Sequence, residues 1–294
     1  MTDVKRALVL SGGGAKGAYE VGALLYLYGD LENQYDIICG VSVGALNGSF
    51  LAQYLKKDEK SAINGLLDLW NSIDTRSIYK RWFFGYLSSL WRSSVYNSEP
   101  LQKLVRGVLS QAAIQLSGKE LRVGAVSLNS GIYKLFDQNY HDLAGAVLAS
   151  ASFPVMLCPI KLDGELWTDG GIRDVTPLAA AIDLQADEVD IIVTSPDYTA
   201  PHPSHRFNVL DLAWRSVEVM SDEIINNDLH KAISINKMIS AGFFSNKRKI
   251  PIRIIRPSSK LIDNSLDFSQ ATIQEMIKTG YEDAKRVCEN VHFF

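Results

Sequence analysis

Cysteine is scarce in this chain, and its scarcity excludes two classes of protein. The three cysteines, Cys39, Cys158 and Cys288, are odd in number and far apart, so neither a disulfide framework nor a metal site is expected. Residues 1–6 lead into an apolar strand without the apolar segment of a signal peptide. We therefore expect no metal or other cofactor. A reducing compartment, the cytoplasm, is expected, and an effector that is secreted without a signal would show the same sequence features.

The features of membrane-spanning and nucleic-acid-binding proteins are also missing. No apolar run approaches the roughly 18 residues that a helix needs to cross a bilayer. The net charge is −3, and no basic arm or stripe offers a surface for nucleic acid. With 47% hydrophobic residues, no internal repeat and no long linker, the chain is expected to form one globular domain, 1–294.

Strand-like and helix-like segments alternate along the chain, which predicts an α/β fold with a largely parallel sheet. Strands are predicted at residues 7–10, 37–41, 121–127, 133–137, 189–194 and 252–255, with 121–127 and 133–137 forming a hairpin. Helices are predicted between them, at residues 17–27, 43–55, 142–150, 178–182, 209–239 and 269–288. The segment 61–109 reads as an interrupted helical insertion, and 156–168 reads as extended chain.

A glycine-flanked serine directly follows the second predicted strand. Gly40-Val41-Ser42-Val43-Gly44 has the form G-x-S-x-G, the sharp strand-to-helix turn that exposes a nucleophilic hydroxyl. The alternative is that Ser42 only caps the following helix. The apolar strand before the turn and the small residues after it favour the nucleophile.

A second glycine-rich turn, Gly12-Gly13-Gly14-Ala15-Lys16-Gly17, follows the first predicted strand. Its backbone N–H groups beside a helix N-terminus suit a negatively charged oxygen, and Lys16 would add positive field. The spacing also matches a dinucleotide-binding fingerprint, which requires an acidic residue at the end of the second strand to hold ribose. That strand end carries Ser42 instead, so the oxidoreductase alternative is disfavoured.

A serine nucleophile needs a base, and the five histidines give no clear candidate. The elbow follows only the second strand, which argues against an α/β-hydrolase with its Ser, acid, His order. Asp169 is more informative, because it follows an extended apolar segment and precedes Gly170 and Gly171. The alternative is that Asp169 and Gly170 only form a tight turn, since Asp-Gly pairs are common in turns.

Together, the Gly12–Gly17 turn, the Gly40–Gly44 elbow and Asp169-Gly170-Gly171, in this order, resemble the motifs of the patatin-like phospholipase family. The resemblance implies a three-layer α/β/α fold and a Ser42–Asp169 dyad without histidine. It also implies an oxyanion hole formed by Gly12, Gly13 and Gly14, with Lys16, Gly17, Gly40, Gly44, Gly170 and Gly171 as supporting motif positions. One departure is Asp174, where many members carry asparagine.

What the resemblance implies for function is hydrolysis of phospholipid or lysophospholipid esters through an acyl-serine. Acyl transfer by the same dyad and a non-catalytic lipid-binding effector are the alternatives. An aspartate with a pKa near 4 is a weak base for a serine hydroxyl, so most of the catalytic effect is expected from the oxyanion hole.

The predicted insertion at 61–109 contains a stretch that is rich in aromatic residues and flanked by cations. Trp82, Phe83, Phe84 and Trp91 suit either a membrane interface or a lid over an acyl channel. An aromatic helix packed on the core would give the same composition. Peripheral membrane contact is therefore expected without any membrane span.

Overall fold

A mixed, mostly parallel sheet forms the centre of the computed structural model, which describes residues 4–82, 93–199, 201, 209–244 and 247–290. Its strands are β1 (Arg6–Leu10), β2 (Ile37–Val41), β5 (Glu120–Ser127), β6 (Tyr133–Asp137), β7 (Ile160–Leu162), β8 (Glu165–Asp169), β9 (Glu188–Ile192) and β10 (Ile252–Ile255). The order is β10-β9-β1-β2-β5-β8-β7, with β6 paired to β5. Two short strands, β3 (Lys80–Arg81) and β4 (Tyr96–Asn97), form a separate antiparallel pair.

Helices cover both faces of this sheet. They are α1 (Gly17–Leu24), α2 (Val43–Leu51), α3 (Glu59–Ser72), α4 (Thr75–Ile78), α5 (Glu99–Val108), α6 (Gln111–Ser117), α7 (Leu143–Ser150), α8 (Leu178–Asp183), α9 (Val209–Ser240) and α10 (Gln270–Asn290). In the described part of the chain, none of them is long and apolar enough to cross a bilayer.

The two faces follow from the alternation of side chains along the strands. Leu8 and Leu10 of β1 are buried in the larger core with α1, α2, α3, α5, α7 and α10. Ala7 and Val9 point the other way and are buried with α8 and α9. A strand that is apolar on both faces needs a helical layer on each, which produces three layers.

The pairing of β5 brings two distant segments to one point. β2 pairs in parallel with the first part of β5, and its last residue, Val41, lies opposite Gly124. β8 pairs antiparallel with the end of β5, and its last residue, Asp169, lies opposite Ala125. Because Gly124 and Ala125 are consecutive, the chain that leaves β2 and the chain that leaves β8 meet there.

The pairing of β1 adds the glycine turn to the same edge. Leu10 lies opposite Gly40 of β2 on one side and opposite Ile192 of β9 on the other. The segments that follow these strands therefore emerge side by side at the carboxyl edge of the sheet, where open α/β folds build their sites.

The predicted fold class is confirmed, with several differences in detail. The first helix ends at Leu24 and continues as a π-helical turn to Asp30, and the second ends at Leu51. At these ends, backbone N–H groups donate to carbonyls three or five residues earlier instead of four, so the regular α-helical pattern stops. The extended stretch 156–168 is an antiparallel hairpin of β7 and β8. Helix α6 and the β3–β4 pair were not predicted.

Substitution of Gly44 tests how tightly the turn after β2 packs against β1. A Cβ atom at Gly44 would lie 2.4 Å from the carbonyl oxygen of Leu10. We expect Gly44→Ala to lower the free energy of unfolding by about 1–3 kcal/mol or more, because the backbone must move. Urea denaturation measures this loss.

The matched control for that substitution is Gly107→Ala, in the exposed part of α5, where a Cβ would meet nothing within 4 Å. Alanine should raise stability there by about 0.5–1 kcal/mol through helix propensity. Equal effects at both positions would show that the close approach of Gly44 to β1 is unimportant.

Candidate active site

Ser42 occupies the sharp turn between β2 and α2. Its backbone has φ 57° and ψ −127°, a left-handed conformation that a non-glycine residue adopts only at a cost. Its side chain makes no capping hydrogen bond to α2, which contradicts the helix-cap alternative. Instead, its N–H donates to Ser150 Oγ at 2.9 Å, which ties the turn to α7. The hydroxyl is therefore held at the surface of the site.

Asp169 ends β8 and turns its carboxyl toward Ser42. The Gly171 N–H donates to Asp169 Oδ1 at 2.8 Å, which fixes the side chain in the turn. Oδ2 is buried and has no well-formed hydrogen bond in the described part of the molecule. The Ser42 hydroxyl nevertheless lies close enough to favour the ionised carboxyl. Such contacts are often loose before substrate binds.

Burial changes the acidity of this aspartate. Removal from water raises the pKa of Asp169 to about 7, although the Ser42 hydroxyl and the Gly171 N–H lower it. The sequence-based expectation of a pKa near 4 is therefore wrong. A carboxyl with a pKa near neutrality is a much better proton acceptor for a hydroxyl.

The glycine turn lies next to Ser42, and its three N–H groups are not equivalent. The Gly12 N–H donates to the Val175 carbonyl at 3.2 Å, so it is already engaged. The N–H groups of Gly13 and Gly14 have no partner among the described residues. Thr194 Oγ1 donates to the Gly12 carbonyl at 2.7 Å and holds the turn against the end of β9.

The other predicted motif positions surround these groups. Gly17 packs against Val43 and Trp70, Gly40 against Gly44, and Gly170 against the backbone of Gly124. The Asp174 N–H closes the turn by donating to the Gly170 carbonyl at 3.0 Å. Its Oδ1 accepts from the Thr176 N–H at 3.1 Å, a bond that asparagine would also make. The departure at this position therefore leaves the turn intact.

Ser42, Asp169 and the glycine turn open into one cavity of about 180 Å³. Most of its wall is apolar and comes from α2, α3, α4, α5 and α7, including Phe50, Leu66, Trp70, Leu101 and Val105. A second group of lining residues, the polar part of the cavity, includes Lys16, Ser195, Glu218 and Asp222. Such a cavity can hold a long apolar chain with a polar group at one end.

The residues predicted to touch membrane fall only partly within the structure. Trp82 is half-buried, and its Nε1 donates to the Ser94 carbonyl at 3.2 Å. Phe83, Phe84 and Trp91 lie outside the described residues.

The described histidines are not part of the cavity wall. His141 is exposed and faces Asp163 at 3.3 Å, and His230 is exposed on α9.

Several residues of the site carry no recognisable sequence signal. Thr194 is an ordinary residue just after a strand, and Glu218 and Asp222 lie on a helix far along the chain from any motif. Ser150 falls inside the small-residue stretch before Pro154, where only three-dimensional contact distinguishes it. Strand order at the carboxyl edge could have suggested Thr194, since β9 neighbours β1.

Comparison with known proteins finds a matching family model and several related proteins. The model of the family "Patatin-like phospholipase" matches residues 8–182. An uncharacterized NTE family protein, Mb1092c, from Mycobacterium bovis is 29% identical over 184 residues, covering 62% of this chain and 46% of that protein. "Probable lipid hydrolase 463L" of Invertebrate iridescent virus 6 is 24% identical over 259 residues, covering 79% and 86% of the two chains.

Among solved structures, VipD from Legionella pneumophila aligns over 97% of this chain and 67% of its own, with 16% identity and a TM-score of 0.47. The chain spans about half the length of the first curated relatives it matches.

The buried carboxyl at Asp169 predicts a specific pH dependence of stability. Its pKa of about 7 lies above the value of about 4 in an unfolded chain, so folding favours the protonated form. This stability is fully present below about pH 4 and is lost as the pH rises through 7. Between pH 5 and pH 8, the unfolding free energy of the parent should fall by about 2–3 kcal/mol relative to Asp169→Asn.

Urea titrations of both proteins across this pH range measure the difference. Parallel pH profiles for the parent and Asp169→Asn would contradict the raised pKa.

Proposed function

The chain belongs to the patatin-like phospholipase family, and from that premise we propose that it is a serine acyl hydrolase of phospholipase A or lysophospholipase type. Ser42 is the nucleophile and Asp169 the base in this proposal. The observation that carries it is the meeting of a strained serine and a buried carboxyl in the wall of one largely apolar cavity. The substrate is a lipid carboxylic ester whose acyl chain occupies the apolar part.

Proton transfer comes first in the proposed reaction. The ionised carboxyl of Asp169 accepts the Ser42 proton through its free oxygen while Ser42 Oγ attacks the ester carbonyl. Asp169 Oδ1 stays bonded to the Gly171 N–H during this step, so the carboxyl keeps its orientation.

The negative charge that this attack creates falls on the carbonyl oxygen. The unpaired N–H groups of Gly13 and Gly14 supply donors for it, and Gly12 allows the turn to approach Ser42: a Cβ there would lie 3.1 Å from Ser42 Cβ. α2 begins directly after Ser42 and points its positive end at the same region. A single donor of this kind contributes about 3 kcal/mol.

Collapse of the tetrahedral intermediate then releases the alcohol. Asp169 returns the proton to the leaving oxygen, which leaves an acyl-Ser42. A water molecule, activated by the same carboxyl, attacks the acyl group and restores both side chains. If another alcohol takes the place of water, the same dyad performs acyl transfer, which is the second candidate activity.

The apolar wall supports a role for the insertion at 61–109 as a cover over the acyl chain. Helices α3, α4 and α5 contribute Leu66, Ile78 and Leu101 to the cavity. We propose that this segment lies over the bound chain and that the protein meets lipid at a membrane surface. The catalytic domain would then be the whole of residues 1–294, acting in the cytoplasm or as a secreted effector.

Loss of either member of the dyad should abolish turnover. We expect Ser42→Ala and Asp169→Asn each to lower kcat/KM for a short-chain phospholipid by at least about a thousandfold. Asp174→Asn is the matched control, because the same change five residues away keeps the Thr176 bond. Activity retained in a folded Ser42→Ala protein would refute the assignment, whereas a folded, inactive parent that binds lipid would favour a non-catalytic effector.

The rate should also depend on pH in a defined way. Because Asp169 must be ionised, kcat/KM for an uncharged ester should rise tenfold per pH unit below about pH 7 and level off above it. Asp174, whose pKa is raised to about 6 by burial and by Asp228, is the competing titrating group. Asp174→Asn should keep the midpoint, and a rate independent of pH from 5 to 8 would contradict Asp169 as base.

A further inference from the structure

Most of the polar part of the cavity is built from segments that the catalytic steps do not use. Ser195 follows β9, and Ser221 and Asp222 lie on α9, whereas Lys16 belongs to the glycine turn itself. An ester whose acyl chain occupies the apolar part and whose carbonyl lies at Ser42 has to direct its alcohol portion away from that apolar wall. The cavity lining also includes polar residues, among them Lys16, Ser195, Ser221 and Asp222, and these suit a polar alcohol portion.

Asp222 is a buried acid that forms no ion pair among the described residues, although the charge of Lys16 acts on it. Its residue is 7% exposed, and the described residues provide no ion pair for it. Burial raises the pKa of Asp222, while the charge of Lys16 and the nearby Ser195 hydroxyl lower it; Ser195 Oγ itself is buried without a well-formed hydrogen bond. A buried carboxylate in this state is costly unless a ligand or water pairs with it.

The neighbouring acid, Glu218, differs because its charge is already neutralised. Arg215 Nη1 lies 2.7 Å from Glu218 Oε2, and Lys260 Nζ lies 3.2 Å from Oε1. Of the two acids that α9 contributes to the cavity wall, Asp222 is therefore the one that can receive a new cation.

Lys16 contributes a positive charge to the same cavity wall. Burial lowers the pKa of its ammonium, while the charges of Asp222 and Glu218 raise it. The described residues give the Lys16 ammonium neither an ion pair nor a hydrogen bond. Lys16 also lies beside the glycine turn: its Cβ would be 3.3 Å from a Cβ at Gly13.

Lys16 and Asp222 therefore line one cavity and each acts on the charge of the other, but no ion pair joins them among the described residues. A phosphodiester is a suitable partner for the first, and an ammonium for the second. A ligand that carries both charges would satisfy the two groups at once, whereas a purely anionic one would leave Asp222 unpaired and repelled.

We propose that this polar part is a head-group subsite for a phosphodiester that carries a cationic amine, with Lys16 binding the phosphate and Asp222 the ammonium. The inference rests on the proposed function for the placement of the ester at Ser42. It assigns the enzyme a preference for zwitterionic over anionic phospholipids.

The test compares short-chain phosphatidylcholine, phosphatidylethanolamine and phosphatidylglycerol with identical acyl chains, below their aggregation concentrations. Asp222→Asn should lower the ratio of kcat/KM for either zwitterionic lipid to kcat/KM for phosphatidylglycerol by about tenfold. Lys16→Gln should lower kcat/KM for all three phospholipids relative to a short-chain diacylglycerol. A ratio is independent of the fraction of protein that is folded.

Glu223→Gln is the matched control, since Glu223 is an exposed carboxylate next to Asp222 on the same helix. It should leave the ratio unchanged. An unchanged ratio in Asp222→Asn, or an equal fall in Glu223→Gln, would overturn the subsite. A fall confined to phosphatidylcholine or to phosphatidylethanolamine would identify which amine is bound.

A binding measurement separates this inference from the proposed function. Calorimetric titration of Ser42→Ala with glycerophosphocholine should detect binding that weakens about tenfold on adding Asp222→Asn. Binding without hydrolysis of any ester by the parent would overturn the proposed function and keep the subsite. Hydrolysis with no binding and no change in the ratio would overturn the subsite alone.

Discussion

The pairing of strand β5 with two partners is the constraint on which the candidate site depends. Its first part pairs with β2 and its last part with β8, so Val41 and Asp169 lie opposite consecutive residues. A shift of one residue in either register would turn alternate side chains to the other face of the sheet. The buried apolar residues on both faces therefore fix the register, and through it the proximity of Ser42 and Asp169.

The same packing provides the chemistry of the site. The left-handed backbone at Ser42 and the dehydrated carboxyl at Asp169 are both unfavourable, and the surrounding core must offset them. In return, the hydroxyl is exposed to the cavity and the carboxyl titrates near neutrality. Unfavourable features of this kind are common at active sites, which agrees with the roles proposed for Ser42 and Asp169.

Much of this arrangement could be predicted from the sequence, because glycine-rich turns after apolar strands report on local backbone geometry. The elbow at Ser42, the glycine turn and the strand ending at Asp169 are all local features of this kind. The engagement of the Gly12 N–H and the raised pKa of Asp169 could not be predicted, since both depend on Val175 and on burial by distant segments. The position of Asp222 in the cavity wall could not be predicted either, because a single acid on a long helix has the pattern of a solvated surface residue.

The most direct test of the central claim, that Ser42 is a nucleophile activated by Asp169, is reaction with a fluorophosphonate followed by peptide mass spectrometry. A fluorophosphonate reacts with activated serines and needs no knowledge of the lipid substrate. The account predicts one adduct, on the peptide that contains Ser42, forming much more slowly in Asp169→Asn. A folded protein that hydrolyses lipid esters but carries no adduct, or carries it on another residue, would contradict the account.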